Sequence, residues 1–199
     1  MKTEILQILR NTDGYVSGQQ LCDTLGVSRT AVWKVINQLK EEGYEIEAVR
    51  NRGYRIVEAA DVLNASELKS RLHTKHIGSE IYYQSEIDST NSWLKRLAEE
   101  GAPDGSVTIA DMQSRGKGRR GRVWVTPFGT SIPFSILLRP DIRPERASML
   151  TLVMGLCVAE AMEQLYGMEV GIKWPNDVVV NGKKICGILT EMTMQAEYI

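Results

Sequence analysis

The chain has 199 residues, of which 43% are hydrophobic and 25% are charged, and its formal net charge is −1. This length suits one large domain or a small domain followed by a medium one, and the near-neutral charge excludes a generally basic nucleic-acid coat, so nucleic-acid contact requires a local patch. The cysteines are odd in number and lack CxxC spacing, which disfavours a disulfide framework and a cysteine metal site. Because no signal peptide is visible either, a cytoplasmic location is favoured.

The first 62 residues are predicted to form a winged helix-turn-helix. Apolar residues at helical spacing place a first helix around Ile5–Leu9. Ser17 and Gln20 form a capping box that opens a second helix, which ends at Gly26. Ser28 caps a third helix after a very short turn. The apolar face of this third helix carries Val32, Val35, Ile36 and Leu39. Helix, tight turn and helix is the spacing of a helix-turn-helix.

The outer face of the third helix and the hairpin that follows are predicted to bind DNA. Strand-like segments at 44–49 and 54–57 flank a basic tip, which is typical of a wing. Donor-rich side chains near a helix N-terminus suit phosphates and base edges. The predicted DNA-contact residues are Ser28, Arg29, Thr30, Trp33, Lys34, Asn37, Arg50 and Arg52. A three-helix protein-interaction module is the alternative, but the coincidence of the turn, the wing and its cations favours DNA.

Polar side chains gather at a predicted strand-to-helix junction in the second part of the chain. A helix is expected over 62–72 and a strand over 81–84, and Ser89-Thr90-Asn91 then precedes a helical face that ends at Gly101. Simple helix capping explains these residue types. A ligand site is the alternative, because polar side chains and free backbone N–H groups converge at such a junction.

A basic run interrupted by glycines, Arg115–Arg122, follows a predicted strand over 106–112 that delivers Gln113. Glycine lets the backbone approach a ligand closely, successive N–H groups in a tight turn form an anion site, and guanidinium groups add charge-assisted hydrogen bonds. A solvated, charged hairpin tip is the alternative. The downstream motif Lys173–Asp177 favours the anion site.

The remaining segments predict a mixture of helices and hairpins. Alternating apolar residues predict a strand over 132–138, in which Pro133 indicates an edge or a bulge. A buried core helix is expected over 147–166, because its apolar stretch at 149–161 is too short to span a bilayer, so no membrane contact is expected. A strand over 170–173 precedes a hairpin of 178–180 and 183–192 with a type I′ turn at Asn181-Gly182. The fold class is therefore α+β or mixed-sheet α/β.

Four motifs, in this order, resemble those of the biotin–protein ligases, in the bifunctional type that is also the biotin-operon repressor. They are Asp88–Asn91, Gln113 with Gly116–Trp124, Lys173–Asp177 and Lys184–Glu191. The resemblance implies a class II synthetase-like mixed-sheet ligase domain behind the winged helix. Such a domain uses ATP and Mg²⁺ to adenylate biotin and passes the biotin to a lysine of the biotin carboxyl carrier protein. It also implies biotinyl-AMP-dependent repression at operator DNA by a homodimer, in keeping with the palindromic sites of helix-turn-helix proteins.

The resemblance also implies roles for individual residues. The implied biotin-binding residues are Ser89, Thr90, Asn91, Gln113, Lys117, Gly118, Arg119 and Lys184. The implied ATP and adenylate contacts are Arg119, Arg122, Trp124, Asn176 and Asp177. Asp177 is also the implied Mg²⁺ ligand. Arg119 and Lys184 are the expected catalytic residues, because a carboxylate that attacks an α-phosphate brings two anions together and both must be neutralised.

The predicted domains are a winged helix-turn-helix DNA-binding domain over 1–62 and a partial ligase domain over 63–199. The resemblance implies further sheet, helices and a small C-terminal β domain beyond this sequence, so we expect a fragment or a shortened gene product. Three functions remain open: a ligase and repressor, a transcriptional regulator that senses biotin or biotinyl-AMP with impaired or no ligase activity, and a related lipoate-type ligase. The third is disfavoured because its differently spaced arginine–glycine motif is absent.

Overall fold

The structure is a computed structural model that describes residues 1–58 and 61–193. An N-terminal domain of helices and one hairpin precedes a second part in which helices accompany two further sheets. The N-terminal elements are α1 (Lys2–Arg10), α2 (Gly18–Leu25), α3 (Arg29–Glu41), β1 (Glu45–Val49) and β2 (Gly53–Glu58). Those of the second part are α4 (Ala65–Arg71), β3 (Ile81–Ile87), α5 (Thr90–Glu99), β4 (Val107–Gln113), β5 (Phe134–Ile136), α6 (Met149–Tyr166), β6 (Val170–Lys173), β7 (Asp177–Val180) and β8 (Lys183–Gly187).

Side-chain caps set the boundaries of α2 and α3, as the sequence predicts. The Ser17 hydroxyl accepts a hydrogen bond from the Gln20 N–H (3.0 Å), and the Ser28 hydroxyl accepts one from the Ala31 N–H (3.2 Å). Gly26 ends α2 in the left-handed region, with φ of 64°, where glycine avoids a Cβ clash. The predicted helix-turn-helix is therefore confirmed.

The densest core lies in the N-terminal domain. Apolar residues of α1, α2, α3 and β1 form one buried cluster. It includes the whole predicted apolar face of α3, namely Val32, Val35, Ile36 and Leu39. The opposite face of α3 remains open to solvent. Its exposed side chains include Arg29, Thr30, Trp33 and Lys34. An uncovered polar face on the second helix of the pair is the surface that a helix-turn-helix places in a DNA groove.

The second part contains two separate three-stranded sheets. In the first, α5 connects the parallel strands β3 and β4, and β5 pairs antiparallel with β4 at the edge. Pro133 directly precedes β5, which confirms the predicted edge position. In the second, β6, β7 and β8 form an antiparallel meander. Asn181 and Gly182 both have positive φ between β7 and β8, which confirms the type I′ turn. Helices beside mixed and antiparallel sheets confirm the α+β class.

The last strand is shorter than the sequence predicts. Strand β8 ends at Gly187 rather than near Met192. Directly after it, the Ile188 N–H donates to the backbone carbonyl of Asn176 (2.9 Å). The hairpin pairing thus continues in register for one residue beyond β8, and residues 189–193 form no strand.

The apolar helix α6 is not the buried core helix that the sequence predicts. Of its residues, only Gly155 and Ala159 are buried, and Leu156 is 51% exposed. One face of α6 packs against the β6–β7 hairpin, whereas no element within residues 1–58 and 61–193 covers the other face. The helical stretch Pro144–Tyr166 is long and apolar enough to cross a membrane by length and composition alone, a test that core helices of soluble proteins also pass.

A buried ion cluster attaches α4 to the N-terminal domain. Glu67 of α4 is 5% exposed, and both of its carboxylate oxygens lie 2.6 Å from Nη2 of Arg10 in α1. The Tyr44 hydroxyl (2.7 Å) and Nε of Arg71 (2.6 Å) also donate to this carboxylate. Burial alone would raise the pKa of Glu67, but the hydrogen bonds from these three residues outweigh it, so the pKa lies below its ordinary value. Helix α4 thus packs with the first domain, although it follows residue 62.

We expect Glu67→Gln to lower the free energy of unfolding at pH 7 by about 3 kcal/mol, because it leaves the partly buried Arg10 guanidinium without a counter-charge. The pKa of Glu67 is lower in the folded than in the unfolded chain. The carboxylate therefore stabilises the fold above about pH 4.3, and this contribution disappears as the pH falls through the folded-state pKa. The stability gap between wild type and variant should close in acid, as measured by urea unfolding at several pH values.

Glu80→Gln is the matched control, since it removes an exposed carboxylate that pairs with Lys69 at 3.2 Å. This change should alter the free energy of unfolding by less than about 1 kcal/mol. A gap for Glu67→Gln that stays constant from neutral to acidic pH would contradict the role assigned to the ion cluster.

Candidate active site

Residues 115–122, called the flap from here on, form a tight hairpin after β4. The Gly118 N–H donates to the Arg122 carbonyl (2.7 Å), and the Trp124 N–H donates to the Gly116 carbonyl (2.9 Å). A Cβ at Gly116 would lie 2.2 Å from the Trp124 carbonyl oxygen, so only glycine permits this approach of two backbone segments. The glycines of the motif therefore shape the hairpin that displays its cations.

Two side-chain hydrogen bonds connect the flap to other elements. Nζ of Lys117 donates to the Ser92 hydroxyl in α5 (2.8 Å), and Nη1 of Arg119 donates to the side-chain carbonyl of Asn176, between β6 and β7 (2.8 Å). Flap residues and the segment after β8, which includes Glu191, line an open cavity of about 660 Å³. A cavity of this volume suits a small-molecule ligand.

The polar junction before α5 is connected to this cavity through a residue of its lining, Glu191. Thr90 donates to the side-chain carbonyl of Gln113 from both its N–H (2.8 Å) and its hydroxyl (3.1 Å). Nδ2 of Asn91 donates to the Glu191 carboxylate (3.0 Å), which lines the cavity. Ser89 is 2% exposed, and its side chain makes no capping hydrogen bond to α5. Simple helix capping therefore does not account for Ser89.

Two further residues of this cluster, Ser135 and Glu191, received no role from the sequence. Ser135 in β5 is buried, and its hydroxyl lies within hydrogen-bond distance of the Thr90 hydroxyl (2.9 Å) and of Oδ1 of Asn91. The sequence did contain a signal for Ser135, because the alternation of apolar residues places it on the face of β5 opposite to Phe134 and Ile136. Burial would raise the pKa of Glu191, but hydrogen bonds from Asn91 and Lys95 outweigh it and lower the pKa. Glu191 is thus an anion at the rim of the cavity.

Lys184 in β8 is held from two sides. Its Nζ lies 2.6 Å from Oδ1 of Asp177 in β7 and 4.8 Å from a ring centre of Trp124. This Asp177 oxygen is buried and accepts no hydrogen bond of proper geometry, so the short contact is an ion pair rather than a directional hydrogen bond. The ammonium beside the indole is a cation–π contact. Three residues that the sequence assigns to the site are therefore direct neighbours.

The other predicted residues occupy distinct positions. Asn176 is fixed in the β6–β7 turn, because its Nδ2 donates to the Ile188 carbonyl (3.1 Å) while its side-chain oxygen accepts from Arg119. The Arg122 side chain is exposed at the end of the flap. Within residues 1–58 and 61–193, no group of three or more His, Cys, Asp or Glu side chains is arranged to hold a metal ion. Asp177 thus stands as a single carboxylate, without a protein-only metal cage around it.

Known proteins resemble both parts of the chain. Residues 83–198 match the biotin/lipoate A/B protein ligase family, and residues 2–55 match a helix-turn-helix domain family. The bifunctional ligase/repressor BirA of Bacillus spizizenii is 44% identical over 185 residues, and that of Escherichia coli is 37% identical over 191 residues. These matches cover 93% and 96% of the chain but 57% of each relative, so the chain spans little more than half the length of the relatives that it matches.

Two solved structures of biotin protein ligases also resemble part of the chain. The Aquifex aeolicus protein, in complex with biotin and ATP, is 38% identical, with a TM-score of 0.51 over 58% of this chain and 47% of that one. The Leishmania major protein, in complex with biotinyl-5-AMP, is 25% identical, with a TM-score of 0.52 over 58% of this chain and 53% of that one. Sequence and structure therefore point to the same class of protein.

We expect Arg96→Gln to raise the pKa of Asp88, the residue that opens the polar junction, from about 2 towards its ordinary value of 3.8. Arg96 donates to both Asp88 oxygens (3.0 Å each), and the Ser89 N–H donates to one of them (2.8 Å). Hydrogen bonds to the ionised form lower a carboxyl pKa, and the variant loses the largest of these contributions. An NMR titration of the side-chain carboxyl carbons measures the change.

Arg139→Gln is the control for this titration, because the Arg139 guanidinium donates instead to the Ala102 carbonyl (2.8 Å). It should leave the pKa of Asp88 unchanged. If Asp88 still titrates at about 2 in Arg96→Gln, the arginine is not what holds this carboxylate ionised.

Proposed function

Because the chain belongs to the biotin/lipoate A/B protein ligase family, which matches residues 83–198, we propose that it adenylates biotin with ATP and transfers the biotin to a lysine of the biotin carboxyl carrier protein. We further propose that it is a cytoplasmic homodimer that represses biotin-biosynthesis genes when biotinyl-AMP is bound. The observation that carries the ligase proposal is the set of contacts that joins the flap, the Thr90–Gln113 pair and the Lys184–Asp177 pair in one site.

The adenylation step brings the biotin carboxylate to the α-phosphate of ATP, and both groups are anions. A carboxylate oxygen forms a bond to the α-phosphorus, and pyrophosphate leaves. Arg119 and Lys184 would neutralise the two anions and the charge that develops at phosphorus. Asn176 holds Arg119 by a 2.8 Å hydrogen bond, and Asp177 holds Lys184 by a 2.6 Å ion pair. Both cations are therefore oriented by the protein itself.

Neutral polar groups beside the flap would bind the ring system of biotin. The side-chain carbonyl of Gln113 is occupied by Thr90, whereas its Nε2 lies beside Gly116 of the flap. The buried Ser89 hydroxyl makes no capping bond to α5. A ligand that covers these donors and acceptors must pair them, because a polar group buried without a partner costs free energy; they therefore favour a ligand with a matching polar ring over an apolar one.

Asp177 also fits a role in holding Mg²⁺. A single carboxylate together with substrate phosphates is a donor set that Mg²⁺ accepts, so no protein-only cage is needed. When bound with ATP, the ion would supply further neutralisation of the phosphates. Since Asp177 is the partner of Lys184, this carboxylate would keep the lysine and the phosphate groups close to one another.

The wing and the open face of α3 support the DNA-binding part of the proposal. The guanidinium groups of Arg52 and Arg55 lie 4.3 Å and 5.0 Å from the ring centre of Tyr15. Arg55 also pairs with Glu47 (2.7 Å). The ring therefore orients both arginines, while Arg52, at the tip of the wing, is exposed and available to a phosphate.

Lys184→Met and Arg119→Ala should each slow the biotin- and ATP-dependent release of pyrophosphate by about 100-fold or more, because each removes charge stabilisation at the phosphorus. A coupled pyrophosphate assay measures this rate. Lys183→Met is the matched control, since Lys183 is the exposed neighbour of Lys184 in β8, and it should retain the wild-type rate.

The same assay separates the two candidate functions. Wild-type protein that binds biotin but releases no pyrophosphate would be a biotin-sensing regulator without ligase activity. If calorimetry detects no uptake of biotin, with or without ATP, both functions are wrong.

Arg29→Ala and Lys34→Ala should weaken binding to duplexes that the protein selects from a random DNA library. Each should also reduce the slope of log K against log salt concentration by about one, because one phosphate contact is lost. Fluorescence anisotropy at several salt concentrations measures both effects. Lys75→Ala, an exposed residue outside α3 and the wing, is the control. Unchanged binding in both α3 variants would rule out this face.

A further inference from the structure

Strand β8 contains one residue more than the segment of β7 that it pairs with. Asp177 of β7 pairs with Gly187 of β8, and Val179, two residues further along β7, pairs with Lys184. Two steps along β7 therefore correspond to three steps along β8. The extra residue, Ile185, makes a β-bulge, the kind of irregularity that changes the direction of a side chain.

The bulge decides which face Lys184 occupies. Side chains alternate along a strand, so residues 184 and 187 of a regular strand would point to opposite faces. The extra residue reverses the alternation and brings Lys184 to the face shared by Gly187 and its cross-strand partner Asp177. The 2.6 Å ion pair between Nζ of Lys184 and Asp177 is the result.

Gly187 leaves open the space that the end of the Lys184 side chain fills. A Cβ at position 187 would lie 2.8 Å from Cε and 2.9 Å from Nζ of Lys184, and 3.3 Å from Cζ3 of Trp124. The backbone of Gly187 is outside the left-handed region, so its conformation does not itself require glycine. The group most crowded by a methyl at this position is thus the flexible tip of a lysine, which would move while the sheet stays folded.

We propose that Gly187 is a positioning residue for adenylation: its missing side chain lets the Lys184 ammonium cross to Asp177 beside the Trp124 ring. This inference rests on the proposed function, in which Lys184 neutralises the reacting anions. A cation that is already in place stabilises the transition state more than one that must first be moved there. Any side chain at position 187 displaces the ammonium from both of its neighbours.

Gly187→Ala should slow biotin- and ATP-dependent pyrophosphate release by about 10- to 100-fold, because small displacements of a group at the reacting centre cost this much. The melting temperature should stay close to that of the wild type. Gly155→Ala in α6 is the matched control, since a Cβ there would lie at an ordinary 3.6 Å from Cδ1 of Ile188. This control should keep the wild-type rate.

A double variant shows whether the loss passes through the lysine. In a Lys184→Met background, adding Gly187→Ala should cause no further loss of rate, because the two changes act on one interaction. A further loss as large as that in the wild-type background would overturn the proposal. Should Gly187→Ala lower the melting temperature, Lys184→Ala should restore it, because it removes both the Cε and the Nζ that the new methyl crowds; failure to restore it would also overturn the proposal.

Chemical labelling tests the position of the ammonium without depending on ligase activity. Mass spectrometry compares acetylation of Lys184 with that of its neighbour Lys183 in the same protein. Gly187→Ala should raise the ratio, because the ammonium loses Asp177 and Trp124, and Gly155→Ala should not. An unchanged ratio overturns the positioning role even if the rate falls. If the wild-type protein releases no pyrophosphate, the proposed ligase function is wrong instead. The labelling ratio still tests whether Gly187 positions the Lys184 ammonium.

Discussion

Two adjacent residues, Asn176 in the β6–β7 turn and Asp177 at the start of β7, hold both catalytic cations of the proposed site. Asn176 accepts the hydrogen bond from Arg119 of the flap, and Asp177 pairs with Lys184 of β8. The partners of the two like charges are thus consecutive residues of the chain. The flap contributes no apolar anchor, and ordering its backbone costs about 1–2 kcal/mol per residue. Its placement therefore depends on polar contacts of this kind and on the anion that the cations enclose.

Charge serves two different purposes in this molecule. The carboxylate of Glu67 is surrounded by Arg10, Arg71 and Tyr44, so its capacity to accept hydrogen bonds is used within the protein. Such a cluster fixes α4 against α1 and offers nothing to a ligand. At the flap the balance is reversed, since among residues 1–58 and 61–193 the side chains of Arg119 and Lys184 each have one polar or charged partner and several donors to spare. A surplus of donors on cations beside the flap is what a polyanionic substrate requires.

Local patterns predicted most elements of the fold, because caps and glycine stops act over a few residues. The helix-turn-helix, the turn at Asn181-Gly182 and the edge position of β5 follow from such signals. Contacts between distant residues were not predictable: Arg10 and Glu67 are 57 residues apart. The exposure of α6 depends on which elements pack against it, and the bulge at Ile185 depends on the register of two strands. The residues assigned to the proposed site came from the sequence motifs, whereas the pairing of Lys184 with Asp177 required the register.

Two glycines of the site show why a sequence pattern does not separate a structural requirement from a functional one. A Cβ at Gly116 would meet a backbone oxygen of Trp124 at 2.2 Å, whereas one at Gly187 would meet the tip of Lys184 at 2.8–2.9 Å. The backbone oxygen cannot retreat without breaking the hairpin, so Gly116 is needed to form the flap. A lysine tip can retreat, so the sheet survives a change at Gly187 while the charge moves. Where catalysis consists of placing a cation between two anions, a residue without any functional group thereby controls the chemistry.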